Sequence, residues 1–267
     1  MKKFAYTILV LLGLAALGCN NGKSTRSNKA GGDDSVFTHI EIHPSPTKIG
    51  EIPLPEGYVR IKADSNSYAF FLRELPLKSS FADDEYHSDN YAVVDINLED
   101  NTDLKSSDAI ILLRSRYLYN QKQYKKIIYS GETKGELYPY LEYARGDYSV
   151  ERFNEYLNDI SNKIGSQTLR KQMKSKKVNQ LSIGDVFIEE KEGKNDAHAV
   201  MVVDMAYNNK TNDTIFLLAQ FDSGKQQMLI LRNHVDKDIS PWFSKDFGKY
   251  LFTPNWTFFR KDLKSFE

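Results

Sequence analysis

The order of hydrophobic patterns predicts an α+β fold, an antiparallel sheet with helices packed on one of its faces. Helical spacing marks the earlier part of the chain, and strand patterning takes over from Gly184. Four short apolar runs, "GDVFIEE", "HAVMVVDMA", "TIFLLAQF" and "QQMLILR", follow one another across turn-rich gaps such as "YNNKTND" and "DSGK". Consecutive strands joined by short turns form an antiparallel meander, and helices encoded before them pack on one face of it.

The elements read as follows. "IGEIPLPEGYVRI" (49–61) carries two prolines and then a short alternation at Tyr58, Val59 and Ile61, an extended entry ending in an edge strand. In "DSNSYAFFLRELPL", Asp64, Ser65 and Ser67 offer caps for a short helix that Pro76 closes. "YAVVDINL" (91–98) is β-branched and reads as a strand. In "DLKSSDAIILLRSRYLYNQKQY", Ser106 or Ser107 caps a helix. Asp108 suits its positive end, and Ile110, Leu113 and Tyr117 recur at helical spacing. "VERFNEYLNDISNKI" stripes Phe153, Tyr156, Leu157 and Ile160 along one helix face. "SPWF" and "TPNWTF" form a C-terminal wrap with two tryptophans.

The N-terminus carries a different signal. Lys2 and Lys3 precede an apolar run from Phe4 to Leu17, and Gly18 precedes Cys19. This pattern predicts a signal peptide over 1–18, too short to span a membrane comfortably. The ending "ALGC" is similar to a bacterial lipobox, with Ala16 in place of the usual leucine, so Cys19 is expected to carry the lipid. It is the only cysteine in the chain. Hence no disulfide within the chain, no cysteine nucleophile beyond the lipid site and no cysteine-based metal centre is expected. Residues 19–35 form a polar tether reaching ~20 Å, and 36–267 a single domain. The expected location is the cell envelope, lipid-anchored to a bacterial membrane through Cys19, on its outer-membrane, periplasmic or surface face.

Charge is balanced, with 36 basic and 36 acidic residues; loss of Lys2 and Lys3 would leave 34 against 36. Interspersed signs leave no footprint for nucleic acid. The basic cluster "KQMKSKK" (171–177) reads as a solvated surface link. His39 and His43 would share one face of a strand, but no wider ligand set completes a metal site. His87 and His234 read as surface residues. No metal or cofactor is expected.

His198 is the residue to weigh. Strand alternation puts His198, Val200, Val202 and Asp204 on one face. If the hairpin turns around Asn209, Gln220 lies opposite His198, where it would fix the imidazole's tautomer; a slip of one residue would separate them. A structural histidine and a catalytic base are both consistent with this pattern. Arg114 and Arg116 suit an anionic or sugar ligand, or else lie over neighbouring tyrosines. Sixteen tyrosines include Tyr138, Tyr140, Tyr143 and Tyr148 in one turn-rich segment, where rings can stack on sugars or fill a half-buried surface.

The runs "IGEIPLPEGYVRI", "LRSRYLY", "IGDVFI", "HAVMVVDMA", "FLLAQ" and "SPWF" resemble an uncharacterised family of Bacteroidetes lipoproteins, domain-of-unknown-function family 4846. The likeness runs from about Ile49 to the C-terminus. It implies an envelope location and carries no activity with it. A second likeness is to papain-like cell-wall endopeptidases of the NlpC type, which place a cysteine at a helix start, a "GD" strand, a histidine opening the next strand and a polar residue on the one after. Ser106, Asp185, His198 and Gln220 follow that order, and the likeness implies a papain-like core. Many members of the lipoprotein family carry a cysteine where Ser106 stands, and Pro-Gly in place of Asp196 and Ala197. A serine there is a far weaker nucleophile and is also a good helix N-cap. The resulting expectation is a degenerate site that binds a cell-wall peptide or glycan without cleaving it. The alternatives are a working hydrolase with His198 as base and a structural or carbohydrate-binding lipoprotein.

Overall fold

The computed structural model describes residues 45–78, 89–98, 104–161, 163–189 and 197–266. The chain divides into two compact units, Met1–His43 and Pro44–Glu267, and every described residue lies in the second. The signal segment, Cys19, the tether, His39, His43, His87 and Asp196 lie outside the described residues.

Short local signals set the first elements. β1 is Val59–Arg60, and Ser67 caps α1 (Tyr68–Arg73) by accepting the Phe70 N–H at 3.1 Å. β2 is Asn90–Val94. In α2 (Ser106–Asn120) the Asp108 carboxylate accepts the Lys105 N–H at 2.8 Å, so Lys105 holds the cap position and Ser106 opens the helix. Ala109, Ile110, Ile111, Leu112 and Leu113 are all buried, which makes α2 a central helix enclosed on several sides. A hairpin of β3 (Ile128–Ser130) and β4 (Leu137–Pro139) leads into α3 (Tyr140–Ala144). α4 (Val150–Ser161) buries Phe153, Tyr156, Leu157 and Ile160, the stripe its spacing predicts. α5 is Ser166–Gln172.

Strands make up the rest: β5 (Lys174–Ser175), β6 (Val186–Ile188), β7 (Ala199–Asn208), β8 (Asp213–Asp222), β9 (Gln227–Leu231), β10 (Phe243–Ser244), β11 (Tyr250–Phe252), β12 (Thr257–Phe259) and β13 (Leu263–Ser265). β6 to β9 pair in sequence as an antiparallel meander. The sheet does not stop there. β2 joins beyond β9, while β13 and then β5 join beyond β6. β1 continues the β6 side of β7, and β10 continues the β9 side of β8.

The expected fold class is therefore corrected. The molecule is built on a nine-stranded antiparallel sheet drawn from both halves of the chain, with few helices; it is mostly β, and it is not a papain-like core packed by helices. Both faces of the sheet are covered. Ala199, Met201, Val203, Ile215, Leu217 and Ala219 face the helices, whereas Val200, Val202, Phe216 and Leu218 pack against Val178, Leu251, Phe258 and Leu263. The C-terminal segment is thus a second layer: the β11–β12 hairpin together with strands that join the sheet.

A buried ion knot ties the N-terminal runs to β7. The register of β7 against β8 shifts between Val202 and Asp204, a bulge that takes up Val203 as an extra residue. Past the bulge Met205 belongs to the C-terminal face, so Asp204 turns to the opposite side, away from His198's face. There its side chain is fully buried between Arg60 (Nε to Oδ2, 2.7 Å) and Arg73 (Nε to Oδ1, 2.5 Å). Arg60 also donates to the Ile52 carbonyl and lies 5.7 Å from the Trp242 ring centre; Arg73 donates to the Met205 carbonyl at 3.2 Å. Such a charge is tolerated away from water because each carboxylate oxygen is paired with a guanidinium group.

Candidate functional site

A cleft of about 470 Å³ opens where α2 begins and where the chain enters β7. Leu104, Lys105 and Ser106 line it from the start of α2, and Ser166 from the start of α5. Ala197 and His198 precede β7, Ser223 and Gly224 form the β8–β9 turn, and Trp256 comes from the β11–β12 loop. Two of the sequence-predicted residues, Ser106 and His198, therefore share one cleft.

His198 is half-buried, and its ring stacks on Trp256 with centroids 4.2 Å apart and planes 16° from parallel. Phe258 lies beyond at 6.2 Å. The His198 carbonyl accepts the Glu189 N–H at 3.0 Å, so both backbone and ring of the histidine are held. Ser106 directs its hydroxyl to the Phe221 carbonyl at 3.4 Å, a long contact, and makes no hydrogen bond to His198. Without a base in hydrogen-bond contact the alcohol keeps its proton and is a poor nucleophile. The start of α2 adds the positive end of a helix dipole, Lys105 adds a cation, and among the described residues no carboxylate lines the cleft. The arrangement suits holding an anionic or polar group better than cleaving a bond.

Gln220 lies opposite Val200 rather than His198. It keeps the same strand face as His198, but it is buried and its Oε1 has no hydrogen-bond partner among the described residues. Continuing the ladder along both strands brings Asp222, not Gln220, level with His198. Asp222 Oδ1 accepts the N–H groups of Gly224 (2.9 Å) and Lys225 (3.2 Å) and shapes the turn beside the cleft.

Asp185 opens β6 as an architectural carboxylate. It accepts the Ser182 N–H at 2.7 Å and pairs with Lys176 at 2.8 Å. Burial raises its pKa above the ordinary aspartate value, against the opposing pull of Lys176. The preceding Gly184 has φ +92°, and a Cβ there would meet the Tyr68 ring at 2.7 Å. The "GD" pair thus has a conformational reason to exist.

Arg114 lies over three rings, Tyr68, Tyr117 and Phe266, at 5.1–5.6 Å, and lines a separate cleft of about 450 Å³ with Lys126 and Gln172. Arg116 donates to the carbonyls of Ile96 and Asn97, the latter at 2.7 Å, and fastens the chain after β2 to α2. Tyr138 bonds Glu136 and lies under Lys163. Tyr140 is fully buried among Tyr119, Tyr124, Tyr148, Phe153 and Tyr156, and burial pushes its hydroxyl up to about 12. These tyrosines form a packed aromatic cluster from which Tyr148 is exposed. His234 approaches Asp89 at 3.2 Å.

Sequence reasoning missed Trp256, which stacks on His198, and Asp222, which the extended β7–β8 ladder brings level with it. A tryptophan in the turn "TPNW" was the available signal for the first, because a large ring at a hairpin tip packs on something. Among the described residues no group of three or more His, Cys, Asp or Glu is placed to hold a metal ion, and no helix is long and apolar enough to cross a membrane.

No curated protein and no solved structure matches the chain. A family profile matches it over residues 50–150 and again over 134–265. These stretches hold most of the sequence and every residue of the cleft, and the chain belongs to the family described as domain of unknown function (4846).

Proposed function

We propose that this chain is a lipid-anchored protein of the bacterial cell envelope whose Ser106–His198 cleft holds a cell-wall peptide or glycan without cleaving it. The observation that carries the reading is the cleft's chemistry: an imidazole stacked on an indole faces a serine whose hydroxyl is turned to a backbone carbonyl. The α2 amides and Lys105 would receive a carboxylate of a peptide stem, and the edge of Trp256 would pack on a sugar or an apolar side chain. The anchor rests on the leader-like N-terminus and on Cys19.

Calorimetric titration with purified muropeptides, followed by mass spectrometry of the same mixtures, tests the reading. Binding with intact ligand supports it; absence of binding to both peptide-bearing and sugar-only fragments ends it. A hydrolase reading has one observation in its favour, the alignment of Asp222 with His198. Fragment cleavage that is lost in both His198→Ala and Asp222→Asn would select that reading instead.

A further inference from the structure

A third cleft, of about 480 Å³, is lined by Lys176, Lys177, Val178, Asn179, Arg260 and Lys261. Four of its six residues are cationic and none is acidic. Lys176 is matched by Asp185 behind it, at 2.8 Å. Arg260 is held by the Gly248 carbonyl at 2.8 Å, and Lys177 and Lys261 are exposed. The chain brings these charges together from two distant segments, the "KSKK" link and the end of β12.

The β11–β12 hairpin adds an apolar face to this basic surface. Alternation buries Leu251 and Phe258 and turns Tyr250, Phe252, Thr257 and Phe259 outward. Phe252 is 51% and Phe259 42% exposed, and Tyr250 packs against both at 5.9 and 5.3 Å. Lys249 lies 5.1 Å from the Tyr250 ring and Lys261 5.7 Å from that of Phe259. The one acidic residue between Gly248 and Phe266 is Asp262, which is buried. Outward aromatic rings edged by lysine and arginine, with no exposed carboxylate between Gly248 and Phe266 and Asp246 exposed just before them, complement a layer of anionic headgroups over hydrocarbon.

We propose that the β11–β12 hairpin and the Lys177–Arg260–Lys261 cleft form a docking surface for an anionic lipid bilayer: the cations receive headgroup phosphates, and Phe252 and Phe259 enter the interface. This surface is independent of the reading of the Ser106–His198 cleft.

Hydrogen exchange of the full chain at residues 249–261, with and without vesicles, tests the proposal. Vesicles of phosphatidylglycerol and phosphatidylcholine are expected to slow exchange there, and 0.5 M salt to reverse the effect. Lys177→Glu/Arg260→Glu/Lys261→Glu is expected to weaken hairpin binding roughly 100-fold, at the usual increment per basic residue near an anionic surface. Phe252→Ser/Phe259→Ser is a second variant that leaves the charges in place, and it should remove the protection remaining at moderate salt. Equal protection by phosphatidylcholine alone overturns the proposal. So does equal protection by inorganic phosphate without vesicles, or wild-type binding by either variant with a native far-UV spectrum. Should the charge variant misfold, Lys177→Ala/Lys261→Ala, with roughly tenfold or greater weakening expected, gives the same decision.

Discussion

At its start β7 presents His198 to an open polar cleft; further along the same strand it buries Asp204 between Arg60 and Arg73. Both are polar residues in one apolar run, and their surroundings give them opposite characters. Asp204 is closed in, with both oxygens taken by guanidinium groups, so its contribution is to hold three stretches of chain together. His198 is half-buried, stacked on Trp256 and lining the cleft, with its Nε2 atom buried. A buried, fully partnered charge marks architecture, and a half-buried imidazole on a cleft is where ligand chemistry can occur.

The largest test of this contrast is Asp204→Ala. It leaves two guanidiniums facing each other without an anion and should cost about 3–5 kcal/mol in urea unfolding. A loss under about 1 kcal/mol, the range of exposed pairs, would show the knot to be dispensable. Next is Gly184→Ala, which imposes a side chain at φ +92° and against the Tyr68 ring. It should destabilise by about 1–3 kcal/mol. At the cleft, His198→Ala should cost only about 0.5–1.5 kcal/mol of stability, the value of a stacked ring pair. The same change should weaken muropeptide binding roughly tenfold or more, one lost contact of about 1.4 kcal/mol. If stability falls as far as in Asp204→Ala while binding persists, the division of labour on β7 is wrong.

The smallest effect concerns Asp262, buried beneath β12. Burial raises its carboxyl above the ordinary aspartate value, against the Phe259 N–H and the charges of Arg170 and Lys261. The folded state thus favours the proton. Its contribution is fully present below the ordinary aspartate pKa and is lost as pH rises through the raised folded value. Asp262→Asn should therefore gain stability relative to the wild type as pH increases through that window, measured by urea unfolding at several pH values. A gap that does not change with pH would contradict the assignment.

How legible these features were in the sequence depended on their range. α4 and the β6–β9 meander could be read because each repeats a pattern over several residues or across tight turns. β1 was readable as an edge strand from the short alternation after its two prolines, whereas β5, β10 and β13 are two or three residues long and carry no period, so their joining the sheet was not readable. The papain-like expectation rested on the order Ser106, Asp185, His198, Gln220, and the nine-stranded sheet overturns it. At the site, Ser106 and His198 line one cleft, whereas Gln220 pairs with Val200, two residues along from the His198 expected opposite it. The missing information was the hairpin register, which the turn at 209–212 and the bulge at Val203 set together.

By itself the sequence determined where apolar periodicity places helices and central strands, that Cys19 is the lone thiol, and that His198 and Asp204 interrupt an apolar run. Only the tertiary structure decided what those interruptions mean. A bulge at Val203 turns Asp204 onto the other face, and its arginines come from 144 and 131 residues away. Trp256 and Phe258 reach His198 from the C-terminal hairpin, and Arg260 joins Lys177 by the same route. Local pattern reports the energetics of neighbours in the chain, whereas desolvation, pairing of charge and stacking of rings depend on which distant segments the sheet brings together.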